Sequence, residues 1–317
     1  LMYSHDTIGL GHMRRNSAIA ARIVEQNPRA SVLMLVGSPS GIPFALPSGV
    51  DYVKLPSLTK VGRALWRPQS LRVSPSDVIS LRAALIEQAA LSFAPNLFLV
   101  DHEPSGVSDE LIPTLERLRA EKTEIVLGLR DILDEPKVTL QNWESRGTNE
   151  VVKRLYDRIF VYGDESVFAS RRVYNLERLK PRKVSSCGYV TSVDGPRKVS
   201  TAKPVRARIV VAGGGGRDAF PLLASTLEAL ASIAPEERPD ADIIAGPLMD
   251  AELLRPLEKA SADIGANFMK SHPDIPALIA EADLFITMGG YNSVIEAVST
   301  GCPTLVVPRI GPSAEQR

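Results

Sequence analysis

Ile209-Val210-Val211-Ala212-Gly213-Gly214-Gly215-Gly216-Arg217-Asp218 decides the fold. The aliphatic run reads as a buried strand, and four consecutive glycines end it. Glycine loses more conformational freedom on folding than any other residue, so four in a row need a reason. Close backbone approach supplies one. At a strand-to-helix turn the usual occupant is a diphosphate, met by backbone amides and the positive end of the next helix. No Gly-Lys-Ser/Thr ending follows, so this is not a Walker phosphate loop. A plain hinge turn is the competing reading. Arg217 is a candidate phosphate contact and Asp218 a candidate helix cap.

Outward from this turn the chain alternates strand and helix. Downstream, strands are expected at Arg208–Val211, Ile243–Ala245, Asn267–Met269, Leu284–Met288 and Thr304–Val307. Helices are expected between them at Phe220–Ile233, Met249–Ser261, Ile275–Glu281 and Asn292–Thr300. Upstream, strands are expected at Leu1–Ser4, Ser31–Val36, Leu97–Val100, Ile125–Leu129 and Arg158–Tyr162. Helices Met13–Gln26, Asp77–Phe93 and Ser108–Lys122 separate them, the last with Ser108 as its cap. Strands joined through helices imply parallel sheets with right-handed crossovers. Between Thr191 and Pro204 the periodicity lapses into Ser, Thr, Lys, Gly and Pro, the composition of a linker. Two domains are therefore expected, 1–192 and 205–317. The first residue is Leu1, and no helix follows the last loop before Arg317, so trimming is expected at both ends.

A length of 317 residues suits two domains at roughly 100–200 residues each. Lys plus Arg number 37 and Asp plus Glu 37, so no net field favours nucleic acid. Cys187 and Cys302 stand far apart without metal-ligand spacing, which points to a reducing compartment and a cytoplasmic protein. No apolar run approaches the ~20 residues that span a bilayer.

Ile8-Gly9-Leu10-Gly11-His12-Met13-Arg14-Arg15 falls between the first strand and the first helix. Gly9 and Gly11 let the backbone turn tightly, and His12 stands at the helix start. There an imidazole is biased towards its neutral form and suits a general base. The bland alternative is a His that only packs. The third glycine of a dinucleotide fingerprint is missing, with Arg14 in its place, which disfavours a nicotinamide cofactor. Arg14 and Arg15 could meet phosphate or an acceptor carboxylate, but arginines on the first turn of a helix are more often solvated or structurally paired, which is the favoured reading.

Met288-Gly289-Gly290-Tyr291-Asn292-Ser293 forms another turn after a strand. Asn292 or Ser293 can cap the helix that follows. Glu296, expected on its first turn, can accept two hydrogen bonds from the vicinal hydroxyls of a ribose. It can equally complete a capping box with Ser293. Asp101-His102-Glu103-Pro104 and Arg130-Asp131 each follow a strand, at the carboxyl edge where α/β sheets place ligands. Glu103 and Asp131 are acceptor-side candidates that could orient the acceptor or pair with His12. Pairing with local arginines is the structural alternative. His102 beside Asp101 hints at metal but lacks a third ligand, so no metal site is expected. Trp66 and Trp143 fall in irregular segments without visible periodicity, where they could stack on a sugar or simply anchor long loops, and His272 lies near the expected base pocket or is a plain loop residue.

The stretch Pro276-x-Leu278, Ala282-Asp283-Leu284, Gly289-Gly290, Glu296 and Gly301-x-Pro303 resembles the C-terminal domain of family 28 glycosyltransferases, the MurG-like group. The resemblance implies a GT-B fold, in which two Rossmann-like doubly wound α/β domains face a central cleft. It also implies inverting transfer from a nucleoside-diphosphate sugar, a UDP-sugar above all, without an obligatory metal or cofactor. On that basis His12 is the catalytic base, Gly213–Gly216 the phosphate loop and Phe268–Ser271, with Phe268 and Met269, the base-reading segment. Glu296 is the ribose ligand, and Gln316, preceded by Glu315, the late motif glutamine. Met288, Gly289, Gly290, Asn292 and Ser293 would complete the nucleotide site. The sugar would be a hexosyl or N-acetylhexosaminyl group. The acceptor would be a saccharide, a lipid-linked molecule or a small molecule, with peripheral contact at the cytoplasmic membrane face in the lipid-linked case. One departure matters. Asp6-Thr7-Ile8-Gly9-Leu10-Gly11-His12 is not the Gly-Gly-Thr-Gly-Gly-His of the lipid II enzymes. Its Ile-Gly-x-Gly-His-x-x-Arg spacing is also similar to a nucleotide-sugar hydrolase of the same fold, in which His12 would activate water. A nucleotide-sugar-binding protein without chemistry is the non-enzyme alternative.

Overall fold

The structure, a computed structural model, describes residues 1–5, 11–39, 41–42, 45–62, 65–192 and 206–309. Gly9, Glu315 and Gln316 lie outside them. The chain divides into two compact units. One is Leu1–Ile8 with His12–Val190, the other Gly9–Gly11 with Thr191–Arg317.

The first unit runs β1 (Met2–Ser4), α1 (Gly11–Gln26), β2 (Val32–Val36), β3 (Val50–Lys54), β4 (Leu58–Gly62), β5 (Leu65–Pro68) and α2 (Pro75–Phe93). It continues with β6 (Leu97–Asp101), α3 (Ile112–Ala120), β7 (Glu124–Arg130), α4 (Pro136–Ser145), α5 (Thr148–Leu155), β8 (Arg158–Tyr162), α6 (Ser170–Val173), α7 (Leu176–Leu179) and β9 (Val184–Ser186). Its main sheet has the order β3-β2-β1-β6-β7-β8-β9, all parallel. The order reverses between β1 and β6. The carboxyl edge at such a switch point is where open α/β sheets bind ligands. The central strands are buried on both faces and read as continuous apolar runs such as Phe98–Val100 and Ile125–Leu127. Around them pack Tyr3, Leu35, Ile86, Leu115, Val152 and Tyr156 in one core.

The second unit runs β10 (Arg208–Ala212), α8 (Phe220–Ala231), β11 (Asp240–Ile244), α9 (Ala251–Ile264), β12 (Asn267–Met269), α10 (Ile275–Glu281), β13 (Leu284–Thr287), α11 (Tyr291–Thr300) and β14 (Thr304–Val306). Its sheet is parallel, in the order β12-β11-β10-β13-β14. Two apolar clusters cover its faces, one around Val211, Leu223 and Ile243, the other around Val210, Ile279 and Phe285. The switch point here lies between β10 and β13, the two strands that feed the glycine turns.

Several sequence expectations need correction. Ser108 does not cap a helix: Ser108 and Asp109 take positive φ, and α3 starts only at Ile112 with Pro113 in its first turn. The reason is Glu110. Its buried carboxylate accepts from the Tyr3 hydroxyl at 2.7 Å and from Arg82 Nε at 2.6 Å, and that inward turn breaks the helical path. Strand β3, the β4–β5 ribbon and the helices α4 to α7 were not legible as elements. Edge strand β3 mixes Asp51 and Lys54 into its pattern, so no alternation shows. Trp66 stands on β5, and Trp143 stands on α4 against the first core, so neither segment is irregular. Among the described residues no helix is long and apolar enough to cross a membrane.

Candidate functional site

In the first unit, β1 and β6 end side by side, with Met2 opposite Leu99 and Tyr3 opposite Val100. Their carboxyl ends carry His5, Asp101 and His102. Helix α1 begins at Gly11 and sets His12 and Arg15 three residues apart, hence on one face. Both reach Asp101. His12 Nδ1 lies 2.6 Å from Asp101 Oδ2, and Arg15 Nη2 donates to Asp101 Oδ1 at 2.6 Å. Asp101 is fully buried, Arg15 is 2% exposed and His12 is 21% exposed. Of the three, only the imidazole reaches solvent.

Burial pushes the Asp101 carboxyl up, but the Arg15 guanidinium and His12 outweigh it and hold the carboxyl far below the usual carboxylate range. An ionised carboxylate only accepts hydrogen bonds, so the proton of the 2.6 Å contact sits on His12 Nδ1. The 3.0 Å approach of Arg15 Nη2 to the same nitrogen therefore joins two hydrogen-bearing atoms and is proximity, not a bond. Nε2 keeps the lone pair. Burial lowers the imidazole's pKa below its ordinary 6.5, against the raising effect of Asp101 and with help from Arg15 and Arg130. His12 is thus neutral near pH 7, with a base nitrogen on the partly exposed side chain.

Three of the four histidines gather here. His12 and His102 have ring centroids 5.0 Å apart, and His5 lies 5.9 Å from His12 and 5.8 Å from His102. Trp66 meets His5 edge-on at 6.2 Å. Burial, then His12, Arg130 and His5, push the His102 pKa well below its usual value, so this ring is also neutral. No group of three His, Cys, Asp or Glu among the described residues is placed to hold a metal ion.

In the second unit, the glycine turn follows β10. A Cβ on Gly213 would lie 2.2 Å from the Ala219 Cβ, and one on Gly216, at φ +96°, would lie 2.6 Å from the Ala245 carbonyl oxygen. These two glycines are demanded by the fold's own neighbours. Gly214 differs: its φ is +62° and nothing lies within 4 Å of a Cβ built on it. The amides of Gly214 and Gly215 donate no hydrogen bond among the described residues. Of the four glycines, Gly214 and Gly215 are the ones open to a ligand. Arg217 is exposed beside them. Asp218 does not cap α8, whose cap is Ala219; it pairs instead with Arg309 Nε at 2.5 Å.

After β13, Met288 packs on the second unit's core, Gly289 takes φ +79°, and Gly290 is the N-cap of α11 without a side-chain bond. Asn292 and Ser293 therefore sit within the first turn and cap nothing. Glu296 is the sixth residue of α11, not part of its first turn, and is only 4% exposed. Ser293 is not the N-cap, so a capping box with Glu296 is ruled out. On β12, Phe268 and Met269 are half-buried against the core, and the Met269 carbonyl accepts from Ala245 N at 2.9 Å.

Solved structures share this architecture along the whole chain. A UDP-glucosyltransferase from Polygonum tinctorium, capable of glucosylating indoxyl, matches over 99% of this chain and 80% of its own, at 16% identity and a TM-score of 0.61. A ugt transferase from Siraitia grosvenorii in complex with UDP matches over the same shares at 13% identity and a TM-score of 0.57. MurG of Acinetobacter baumannii does so at 15% identity and a TM-score of 0.54. The fold is GT-B. No protein-family model and no curated protein sequence matches the chain. The likeness is to GT-B glycosyltransferases broadly, and it does not single out family 28.

Within this GT-B chain the acceptor-side expectations change. Neither Glu103 nor Asp131 partners His12. Glu103 lies 3.3 Å from Arg146, the local pairing named as the alternative. Asp131 is buried, accepts from Ile132 N at 2.8 Å and hydrogen-bonds Tyr189. Asp101, which sequence reading noticed only as a neighbour of His102, is the partner. Gly11 opens α1, while Gly9 and Gln316 lie outside the described residues. His5 went unnoticed because it stands alone after a three-residue strand. The signal available was its place at the end of β1, next to the strand that ends in Asp101.

Proposed function

We propose that the chain is an inverting glycosyltransferase that moves a sugar from a nucleoside-diphosphate sugar, a UDP-sugar foremost, to an acceptor hydroxyl. The observation that carries this reading is the Asp101–His12 pair at the switch point of the first sheet, with its proton fixed on Nδ1 and Nε2 free to accept another. His12 Nε2 takes the proton of the acceptor hydroxyl as that oxygen bonds to the anomeric carbon. The bond from that carbon to the diphosphate oxygen breaks, and the electron pair leaves with the nucleoside diphosphate. Attack opposite the leaving group inverts the anomeric centre.

Residues 1–192 serve as the acceptor domain and 205–317 as the donor domain. The Gly214 and Gly215 amides and Arg217 meet the diphosphate, where developing negative charge is stabilised most. Glu296 accepts from the ribose hydroxyls, and the amides that open α11 at Tyr291 and Asn292 add their partial positive charge. Three structural neighbours support the reading through their descriptions: two are UDP-glucosyl or ugt transferases, one of them bound to UDP, and the third is MurG. Within GT-B the family 28, MurG-like assignment rests on the motif residues from Pro276 to Pro303. We place the reaction in the cytoplasm, at the membrane face if the acceptor is lipid-linked, with a hexosyl or N-acetylhexosaminyl group transferred.

The test is a screen of UDP-sugars against saccharide, lipid-linked and small-molecule acceptors, reading UDP release and product anomeric configuration. Acceptor-dependent release with inversion is expected. Equal UDP release in water alone would assign the hydrolase reading, and retention of configuration would overturn the mechanism.

A further inference from the structure

The structure assigns Arg15 a role beyond the proton acceptor itself: we propose that it is a positioning residue which, through Asp101, sets the tautomer of His12 and keeps Nε2 the free nitrogen. This inference rests on the reading of His12 as base.

The geometry is a relay of three side chains. Each Asp101 oxygen has its own partner, Oδ1 taking Arg15 and Oδ2 taking His12. Without Arg15 the fully buried carboxylate keeps one partner against its burial. A protonated Asp101 would then offer its O–H to Nδ1, move the imidazole proton to Nε2 and remove the base. Arg15 prevents this by holding Asp101 as an anion.

The fold has built a seat for that guanidinium. Arg15 lies over the Tyr162 ring, its Cζ 5.4 Å from the centroid. Tyr162 ends β8, and its hydroxyl would sit 2.1 Å from a Cβ on Gly128 of β7. A glycine inside a strand normally weakens it, and here it makes room for the ring that carries Arg15. Gly128, Tyr162, Arg15, Asp101 and His12 form one packed series from β7 and β8 to the partly exposed imidazole.

The groups facing His12 come from every neighbouring element: Arg15 from α1, His5 after β1, Asp101 and His102 at β6, Arg130 at the end of β7 and, through His5, Trp66 of β5. The His5 and His102 rings lie 5.9 and 5.0 Å from the His12 ring, and of these groups Asp101 is the acceptor for the Nδ1 proton, at 2.6 Å.

The test is nitrogen-15 NMR of histidine-labelled protein, which reads tautomer and pKa for each of the four rings without any turnover assay. His12→Asn assigns the signal. The parent is expected to show His12 protonated at Nδ1 and titrating below 6.5. Arg15→Met is expected to shift His12 towards the Nε2-protonated tautomer as the Asp101–His12 pair takes up its next proton at higher pH, moving the acid limb of kcat/KM upward by about one pH unit. That is roughly a tenfold loss near the limb, with donor KM unchanged. Arg15→Lys, which keeps the charge, should restore the tautomer in large part. An unchanged His12 tautomer and midpoint in folded Arg15→Met overturns the proposal, as does a uniform loss of kcat with no shift of the limb. If Arg15→Met does not fold, Arg15→Lys and Tyr162→Leu decide it by the same spectrum. Full activity in His12→Asn would instead remove the base reading while leaving the tautomer result standing.

Discussion

In the proposed reaction His12 acts as a base only if Asp101 and Arg15 fix where its proton sits. Four consequences follow at this scale. Replacing His12 with Ala should reduce kcat by on the order of 10²–10⁴, the usual worth of a general base, while calorimetry finds donor affinity intact. Asp101→Asn should approach the same loss, because an amide can donate to Nδ1 and favour the wrong tautomer. The pH profile carries a sign. A base whose pKa lies below 6.5 is competent above that value and is lost as pH falls through it, so kcat/KM should drop on the acid side below 6.5. A limb above pH 7 would contradict the neutral imidazole. Stability follows the same direction. The Asp101 carboxyl is depressed relative to its free value of 3.8, so its contribution is full above that pH and is lost as pH falls below it.

Among the elements, the two glycine turns separate into positions the fold needs and positions a ligand can use. Gly216→Ala forces a Cβ to 2.6 Å from a backbone oxygen at φ +96° and should cost several kcal/mol, roughly the 1–3 kcal/mol of overpacking plus 1–2 kcal/mol for the left-handed backbone. Gly214→Ala meets open space and pays only the backbone part, about 1–2 kcal/mol, so it should fold and bind donor more weakly. Normal affinity in Gly214→Ala would remove the loop from the diphosphate site. Glu296→Gln should likewise weaken nucleotide binding without unfolding α11. Equal affinities in calorimetry would remove the ribose role.

The same elements show what sequence reading could reach. Strands Arg158–Tyr162 and Asn267–Met269 and helix Ile275–Glu281 stand where the local apolar pattern placed them, the second of these strands although it is a sheet edge. Elements whose reason is tertiary escaped. Edge strand β3 and the β4–β5 ribbon lack a clean alternation, and α3 starts late because Glu110 turns inward to Arg82. The site divides likewise. His12 was marked by its glycine turn, but its Asp101 partner lies 89 residues away and no local spacing links them. Half of the glycine signal at 213–216 also came from packing against Ala219 and Ala245, and not from a ligand.

For the molecule as a whole, two parallel sheets with their own cores each carry their candidate site residues at a switch point. The GT-B likeness extends over 99% of the chain, so this organisation belongs to the whole of it. A nucleotide bound to the native state alone should stabilise it by about 2.7 kcal/mol at a hundredfold excess over Kd. For a donor unit of this size that raises its melting temperature by roughly 10 °C, readable by scanning calorimetry. UDP that shifts no transition at millimolar concentration would count against a uridine donor.

The central claim is that His12, held by Asp101, removes the acceptor's proton during sugar transfer, while the glycine turns bind the donor. It is tested most directly by single-turnover transfer from a UDP-sugar with parent and His12→Ala protein, both saturated with donor. The account predicts a chemical step slowed by on the order of 10²–10⁴ with donor Kd unchanged. An unchanged rate, or a loss explained entirely by weaker donor binding, would contradict it.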